Sequence, residues 1–274
     1  METGTLTVPG AEIHYEVRGA GPPLLLINGG DGDAAMFGPL ARLMADHHTV
    51  ITFDPRGNSR SRLTAPPQPQ RIEDRGDDAH LLLAAVAPGE PAYVFGTSYG
   101  GMTGMDLLAR HPDQVRTLVA HEPFTIDLLP DAERWHALFE EVHALYRSEG
   151  LRPAMRRFGE EIGVDIAPEP DDALPAPARD MLARIQANGE VCLEYELRTF
   201  TRFRPDIAGL RTERFALVTG EQQPRTLMHR TTEALAERLG TRVTEFPGGH
   251  VGYLTHPKEF AVALRGAFAG HPGD

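Results

Sequence analysis

Residues 93–101 read YVFGTSYGG, an apolar run closed by a serine with glycine two places to either side. The next stretch, MTGMDLLARHP (102–112), carries a helical pattern from its first residue. A G-x-S-x-G pattern by itself arises by chance in about one chain of this length in ten. Its place at the junction of a buried strand and a helix makes it informative. A serine at so tight a turn is held in a strained backbone, and neighbours two residues away must lack a Cβ. The same turn aims the N–H groups of a helix amino terminus at the site, where they favour an anion.

Outward from this junction the chain repeats one theme. LLLI (24–27), TVITF (49–53), AYVF (92–95), TLVA (117–120) and FALV (215–218) are short, almost continuous apolar runs. Strands look this way when helices cover both faces, as in a parallel sheet. EIHYEV (12–17) alternates instead, as a half-buried strand does. Helical patterns lie between the runs, including MFGPLARLMADHH and IEDRGDDAHLLLAAVA. Strand and helix in alternation predict an α/β fold with right-handed crossovers.

The alternation stops between TLVAHEPF and RFALV. Residues 125–210 are mostly helical in pattern, with Ala132, Trp135, Leu138, Phe139, Val142 and Leu145 at helical spacing. An insertion of this kind is expected as a helical cap over the carboxyl edge of the sheet, where open α/β sheets bind ligands. The core is then expected from residues 1–124 and 211–274.

Bulk properties bound the function. The chain has 274 residues, enough for one sizeable core. Its 27 basic and 39 acidic residues leave a charge of −12, which disfavours nucleic acid and anionic membranes as partners. No stretch approaches the roughly 20 apolar residues of a membrane span. METGTLTVPGAEIHYEV lacks the features of a secretory leader, and the lone Cys192 suits a reducing cytoplasm and a buried apolar role. No cofactor or metal cluster is expected, and a homodimer stays open.

A serine hydroxyl is a poor nucleophile until a base takes its proton. Of 12 histidines, His250 follows the last strand-like run, RVTEF (242–246), in a glycine-rich loop that can reach back to Ser98. His256 is the competitor, although THPKEF looks like the start of the last helix. Acyl transfer also needs donors to the developing oxyanion, each worth about 3–4 kcal/mol. The backbone N–H of Tyr99 is one, and the glycine-rich loop INGGDGDAAMF (27–37) offers Gly30 as the other. A plain turn is the alternative for that loop.

These residues together resemble the α/β-hydrolase family, through NGGDG, FDPRGNSRS, GTSYGG and the late GGH. The resemblance implies a mostly parallel, eight-stranded sheet with the helical cap inserted after the sixth strand. Two positions depart from the usual pattern: Asn28 stands where a histidine is frequent, and Ser59 where a glycine is usual.

The triad acid of this family often follows the strand read here as FALV, and Gln223 falls near that position. Glutamine is neutral and cannot stabilise an imidazolium by charge. Glu122 is the preferred acid instead. It ends the preceding apolar run, and a carboxylate there is costly unless paired, for which a histidine N–H is a natural partner. Glu221, Asp127, Asp206 or no acid at all remain open. With the acid at Glu122, the core motifs resemble the zearalenone lactonases, which implies a cofactor-free Ser-His-Glu hydrolase acting on a small-molecule ester or lactone. Met36, Phe124, Trp135 and Phe139 are candidates for apolar pocket walls, although each also fits a core role. A proline iminopeptidase-like aminopeptidase is the rival enzyme, with Asp31 or Asp33 to anchor a substrate amine. A receptor on the same fold is the rival from another class.

Overall fold

The computed structural model describes residues 1–30, 32–164, 170–171, 173–221 and 226–270. Among the described residues nine strands lie in one sheet: β1 (Glu2–Val8), β2 (Ala11–Arg18), β3 (Pro23–Ile27), β4 (Thr49–Phe53), β5 (Arg62–Leu63), β6 (Ala92–Thr97), β7 (Val115–His121), β8 (Phe215–Gly220) and β9 (Val243–Phe246). Their order is β1-β2-β4-β3-β6-β7-β8-β9, with β5 paired to β2. From β4 to β9 the pairs along this path are parallel, while β2 runs antiparallel to β1, β4 and β5.

The expected eight strands are therefore nine. The addition is β5, two residues whose Leu63 and Arg62 pair with Ala11 and Glu12. So short a strand has no room for a period-2 signal, and it moves the insertion from after the sixth strand to after the seventh.

The apolar runs are continuous because alternate residues enter different cores. Leu25, Ile27, Ile51 and Val94 join one cluster, where Leu82, Met102 and Met105 meet them from helices α2 (Ile72–Val86) and α3 (Tyr99–Arg110). Leu24, Leu26, Val50 and Phe95 join the other, against Leu40 and Met44 of α1 (Gly38–Met44). The insertion contributes α4 (Ala132–Glu149), α5 (Leu151–Ile162), α6 (Ala176–Val191), α7 (Leu197–Phe200) and α8 (Ile207–Leu210), with a π-helical stretch over Cys192–Glu196 between α6 and α7. Phe139, Val142, Leu193 and Leu197 bury its apolar face in the first cluster. The chain ends in α9 (Leu227–Leu239), α10 (Gly252–Thr255) and α11 (Pro257–Phe268). Among the described residues no helix is long and apolar enough to cross a membrane.

Parallel pairing brings the carboxyl ends of β3, β6, β7 and β8 side by side, with Ile27 opposite Gly96, Thr97 opposite His121 and His121 opposite Val218. The glycines around the serine turn are dictated by backbone contact. A Cβ on Gly96 would sit 2.2 Å from the carbonyl oxygen of Gly100, and one on Gly100 would sit 2.1 Å from that of Ile27. Gly100→Ala is therefore expected to cost at least ~3 kcal/mol, because the obstacle is backbone that cannot rotate away. Gly266→Ala, on α11 with open space around it, should instead stabilise by up to ~1 kcal/mol. Urea unfolding of the two variants beside the parent would show the contrast, and equal midpoints would contradict the packing.

Candidate active site

Ser98 lies between β6 and α3 with φ 53° and ψ −121°, far from the ordinary regions of a non-glycine residue. Its N–H donates to the carbonyl of His121 at 2.9 Å, which anchors the turn to the end of β7. Immediately beyond His121, Glu122 also has a positive φ, 45°. Its N–H donates to the carbonyl of Val218 at 3.0 Å, so the turn after β7 is tied to β8 in the same way.

His250 arrives from the loop after β9. Its Nδ1 donates to Glu122 Oε2 at 2.6 Å, across 128 residues of sequence. The other carboxylate oxygen accepts from Thr219 Oγ1 at 2.8 Å and from the N–H of Gly220 at 3.0 Å. A Cβ on Gly220 would lie 2.7 Å from the carbonyl oxygen of Gly248, so only glycine allows the histidine loop to lie this close to β8. Burial opposes charge on Glu122, yet the hydrogen bond from His250 and the other donors outweigh it and hold the carboxyl well below its usual range. No hydrogen bond closes between Ser98 and His250 in this structure. Such contacts in unliganded sites are often long and tighten only around substrate.

The two residues expected to supply oxyanion donors are neighbours through the Tyr99 ring. Tyr99 opens α3, and its ring lies 3.4 Å from where a Cβ on Gly30 would stand, with Cys192 Sγ at 3.9 Å from the same point. Neither the Gly30 nor the Tyr99 N–H has a backbone acceptor among the described residues. Cys192 is buried, and burial pushes its thiol up to about 12, which leaves it protonated and inert.

The sequence signals did not single out His121. Its ring is fully buried, stands 6.0 Å from that of His250, and contacts Thr97 Oγ1 through Nδ1 at 3.0 Å. Its Nε2 has no partner among the described residues. Burial pushes its pKa down to about 4 despite the pull of Glu122. Between about 4 and the unfolded value near 6.5 the unfolded chain therefore binds more protons than the folded one, and acidification favours unfolding. The loss should begin below pH ~6.5, level off near ~4 and reach on the order of 3 kcal/mol. Urea titrations at several pH values should show a shallower slope in His121→Gln than in the parent. Parallel slopes would exclude His121 as the source.

His121, Glu122 and His250 place nitrogen and oxygen atoms within 4.8 Å of one another, the one such trio among the described residues. Both oxygens of Glu122 are already taken by protein donors. That saturation fits a carboxylate serving a histidine better than one serving a cation.

Other expected site residues divide. Phe124 packs on Tyr99 at 5.8 Å and on Phe139 at 5.8 Å, and Trp135 packs on Phe139 at 6.2 Å, so these aromatic rings lie buried in the first core cluster, beginning with Phe124 two residues after Glu122. The indole N–H of Trp135 donates to Asp131 at 3.2 Å. Met36 is buried in the second cluster, in company with Ile185 of the insertion. His256 caps α11. Asp127 accepts from His136 and Arg204, and Asp206 caps α8, so neither stands beside His250. Asp31 and Gln223 lie outside the described residues.

Asp33 is unsuited to anchoring a substrate amine. Fully buried, it accepts from Ala35 N at 2.9 Å, Ser59 Oγ at 2.8 Å and Arg184 Nε at 2.6 Å. Arg184 belongs to α6, so this ion pair ties the insertion to the loop that carries Gly30. Asn188 accepts from the N–H of Ser59 at 2.7 Å, and Glu196 pairs with Arg75 at 2.5 Å and accepts from Asn58 at 3.0 Å. Ser59 itself has φ 50°, which explains why glycine is usual at that position.

The sheet order and the strained serine turn define an α/β-hydrolase, and the chain belongs to that family: residues 22–257 match the model described as alpha/beta hydrolase fold. It is a hydrolase of that family. Among its relatives is YraK of Bacillus subtilis (strain 168), an uncharacterized hydrolase 39% identical over 272 residues, which span 96% of this chain and 95% of that protein. A thermophilic esterase from Thermogutta terrifontis shares the fold with a TM-score of 0.74 at 18% identity, over 97% of both chains. The enol-lactonase from Burkholderia xenovorans LB400 does so with a TM-score of 0.71 at 20% identity, over 97% of this chain and 100% of that one.

Proposed function

We propose that the protein is a serine hydrolase that cleaves a carboxylic ester, with lactones as the preferred class, through an acyl-enzyme and without a cofactor. The hydrogen bond of 2.6 Å between His250 Nδ1 and the ionised Glu122 carries this reading. It fixes the tautomer that leaves Nε2 of His250 free to take the Ser98 proton. Ser98 then attacks the carbonyl carbon, and the Gly30 and Tyr99 N–H groups receive the oxyanion. His250 returns the proton to the departing oxygen, which in a lactone stays attached to the acyl chain. Water activated by the same imidazole then releases the acid and restores the serine.

The insertion acts as a cap over the carboxyl edge of the sheet, tied to the Gly30 loop by the Arg184–Asp33 ion pair. The core motifs of the zearalenone lactonases make a resorcylate macrolactone one member of the substrate class to test. Saturation of Asp33 by Arg184 and Ser59 removes one of the two acidic anchors open to the aminopeptidase alternative.

Two steps test the reading. A fluorophosphonate probe should label Ser98, located by peptide mass spectrometry. A panel of lactones and aryl esters graded by size, with a proline arylamide beside them and Ser98→Ala as control, should then show ester turnover. Absence of labelling at Ser98 would favour a receptor on the same fold.

A further inference from the structure

The end of β8, where the acid of this family often stands, holds donors in its place. Glu122 Oε1 accepts from Thr219 Oγ1 and from Gly220 N–H, both at that strand end. Thr219 Oγ1 also lies 3.2 Å from Nδ1 of His229 on α9. The second nitrogen of that ring faces the exposed Glu233 at 3.2 Å.

Proton counting gives this chain a direction. A hydroxyl has one hydrogen, and an ionised carboxylate can only accept. At 2.8 Å from Glu122, the Thr219 hydrogen must point to the carboxylate, since two bare oxygens would repel at that distance. The contact with His229 then requires an N–H at Nδ1. His229 donates to Thr219, Thr219 donates to Glu122, and His250 donates to the opposite oxygen of the same carboxylate. The groups that face Glu122 are thus His250 from the late loop, His121 from β7, and Thr219 with Gly220 from β8.

We propose that Thr219, oriented by His229, is a positioning residue for the acid. It holds the Glu122 carboxylate in the plane that meets His250 Nδ1. The need is specific to a glutamate after β7. Its side chain has one more rotatable bond than an aspartate, and freezing it costs conformational entropy. Its backbone is also held in the left-handed region, φ 45°, which changes the set of rotamers open to the side chain. A second anchor from β8 supplies the order. This inference rests on the Ser98–His250–Glu122 reading.

The test reads the acid–histidine contact with and without catalysis. In the full-length protein, the low-field proton resonance of His250 Nδ1–H is assigned by its loss in His250→Gln. Thr219→Val, nearly isosteric but without the hydroxyl, should shift that resonance and lower kcat on the best ester by about 10- to 100-fold, with KM within about twofold. Thr219→Ser should restore both, and His229→Phe should shift the resonance in the same direction as Thr219→Val. An unmoved resonance with unchanged kcat in Thr219→Val overturns the proposal, as does a Thr219→Ser variant no better than Thr219→Val. Should the parent hydrolyse no ester, the serine-hydrolase reading fails, while the resonance still decides whether Thr219 positions Glu122.

Discussion

Ser98→Ala is expected to lower kcat on any accepted ester by about 10⁶-fold, the loss that follows when the attacking atom of an acyl-transfer triad is removed. The effect should fall on kcat, since the hydroxyl forms its bond to the carbonyl only on the way to the transition state. A residual rate of about 10³–10⁴ over water should survive from the oxyanion donors and substrate binding. The fold should persist, because alanine meets the same steric limits at φ 53° as serine and the Ser98 hydroxyl caps no helix N–H. Steady-state kinetics on the best substrate, with circular dichroism of the same samples, would check both parts. A loss of less than about 100-fold in a well-folded variant would place the nucleophile elsewhere.

Glu122→Gln should lower kcat by about 10⁴-fold, while Gln223→Ala should change it little. The reason lies in the donors that surround the carboxylate. Glu122 accepts from Thr219, Gly220 and His250 and donates to none. A glutamine there must aim its NH₂ at one of these donor sets. Facing Thr219 and Gly220, it loses the hydrogen bond from the Gly220 N–H and turns the Thr219 hydroxyl into an acceptor. Facing His250, it forces the imidazole to turn Nδ1 into an acceptor, which moves the proton to Nε2 and disables the base. Kinetics of the two variants side by side decide the matter, and the reverse ranking would return the acid to the loop after β8.

The legible parts of this chain were those encoded within a few neighbouring residues. YVFGTSYGG announced a strand, a strained serine and a helix because each needs a local signature: apolar runs for burial on both faces, and glycine where a Cβ would strike backbone. The positions of Glu122 and His250 at the carboxyl edge were legible for a related reason, since one ends an apolar run and the other follows the last one, and parallel strands share that edge. The two-residue β5 carried no such signature. The π-helical turn at Cys192–Glu196 also looked like ordinary helix, because its apolar spacing differs little over one turn. His121 was passed over because a histidine beside a charged residue looks the same whether it is buried or exposed.

By itself, then, the amino-acid order determined the layered architecture and the three residue types at the candidate site, since periodicity and turn sterics act over short range. Only the tertiary structure decided which groups hold the Glu122 carboxylate. Thr219 and Gly220 reach Glu122 across 97 and 98 residues, and Arg184 reaches Asp33 across 151. Those partnerships depend on strand register and on how the inserted helices settle over the sheet. The energy of a buried carboxylate is set by the donors that arrive from such distant segments.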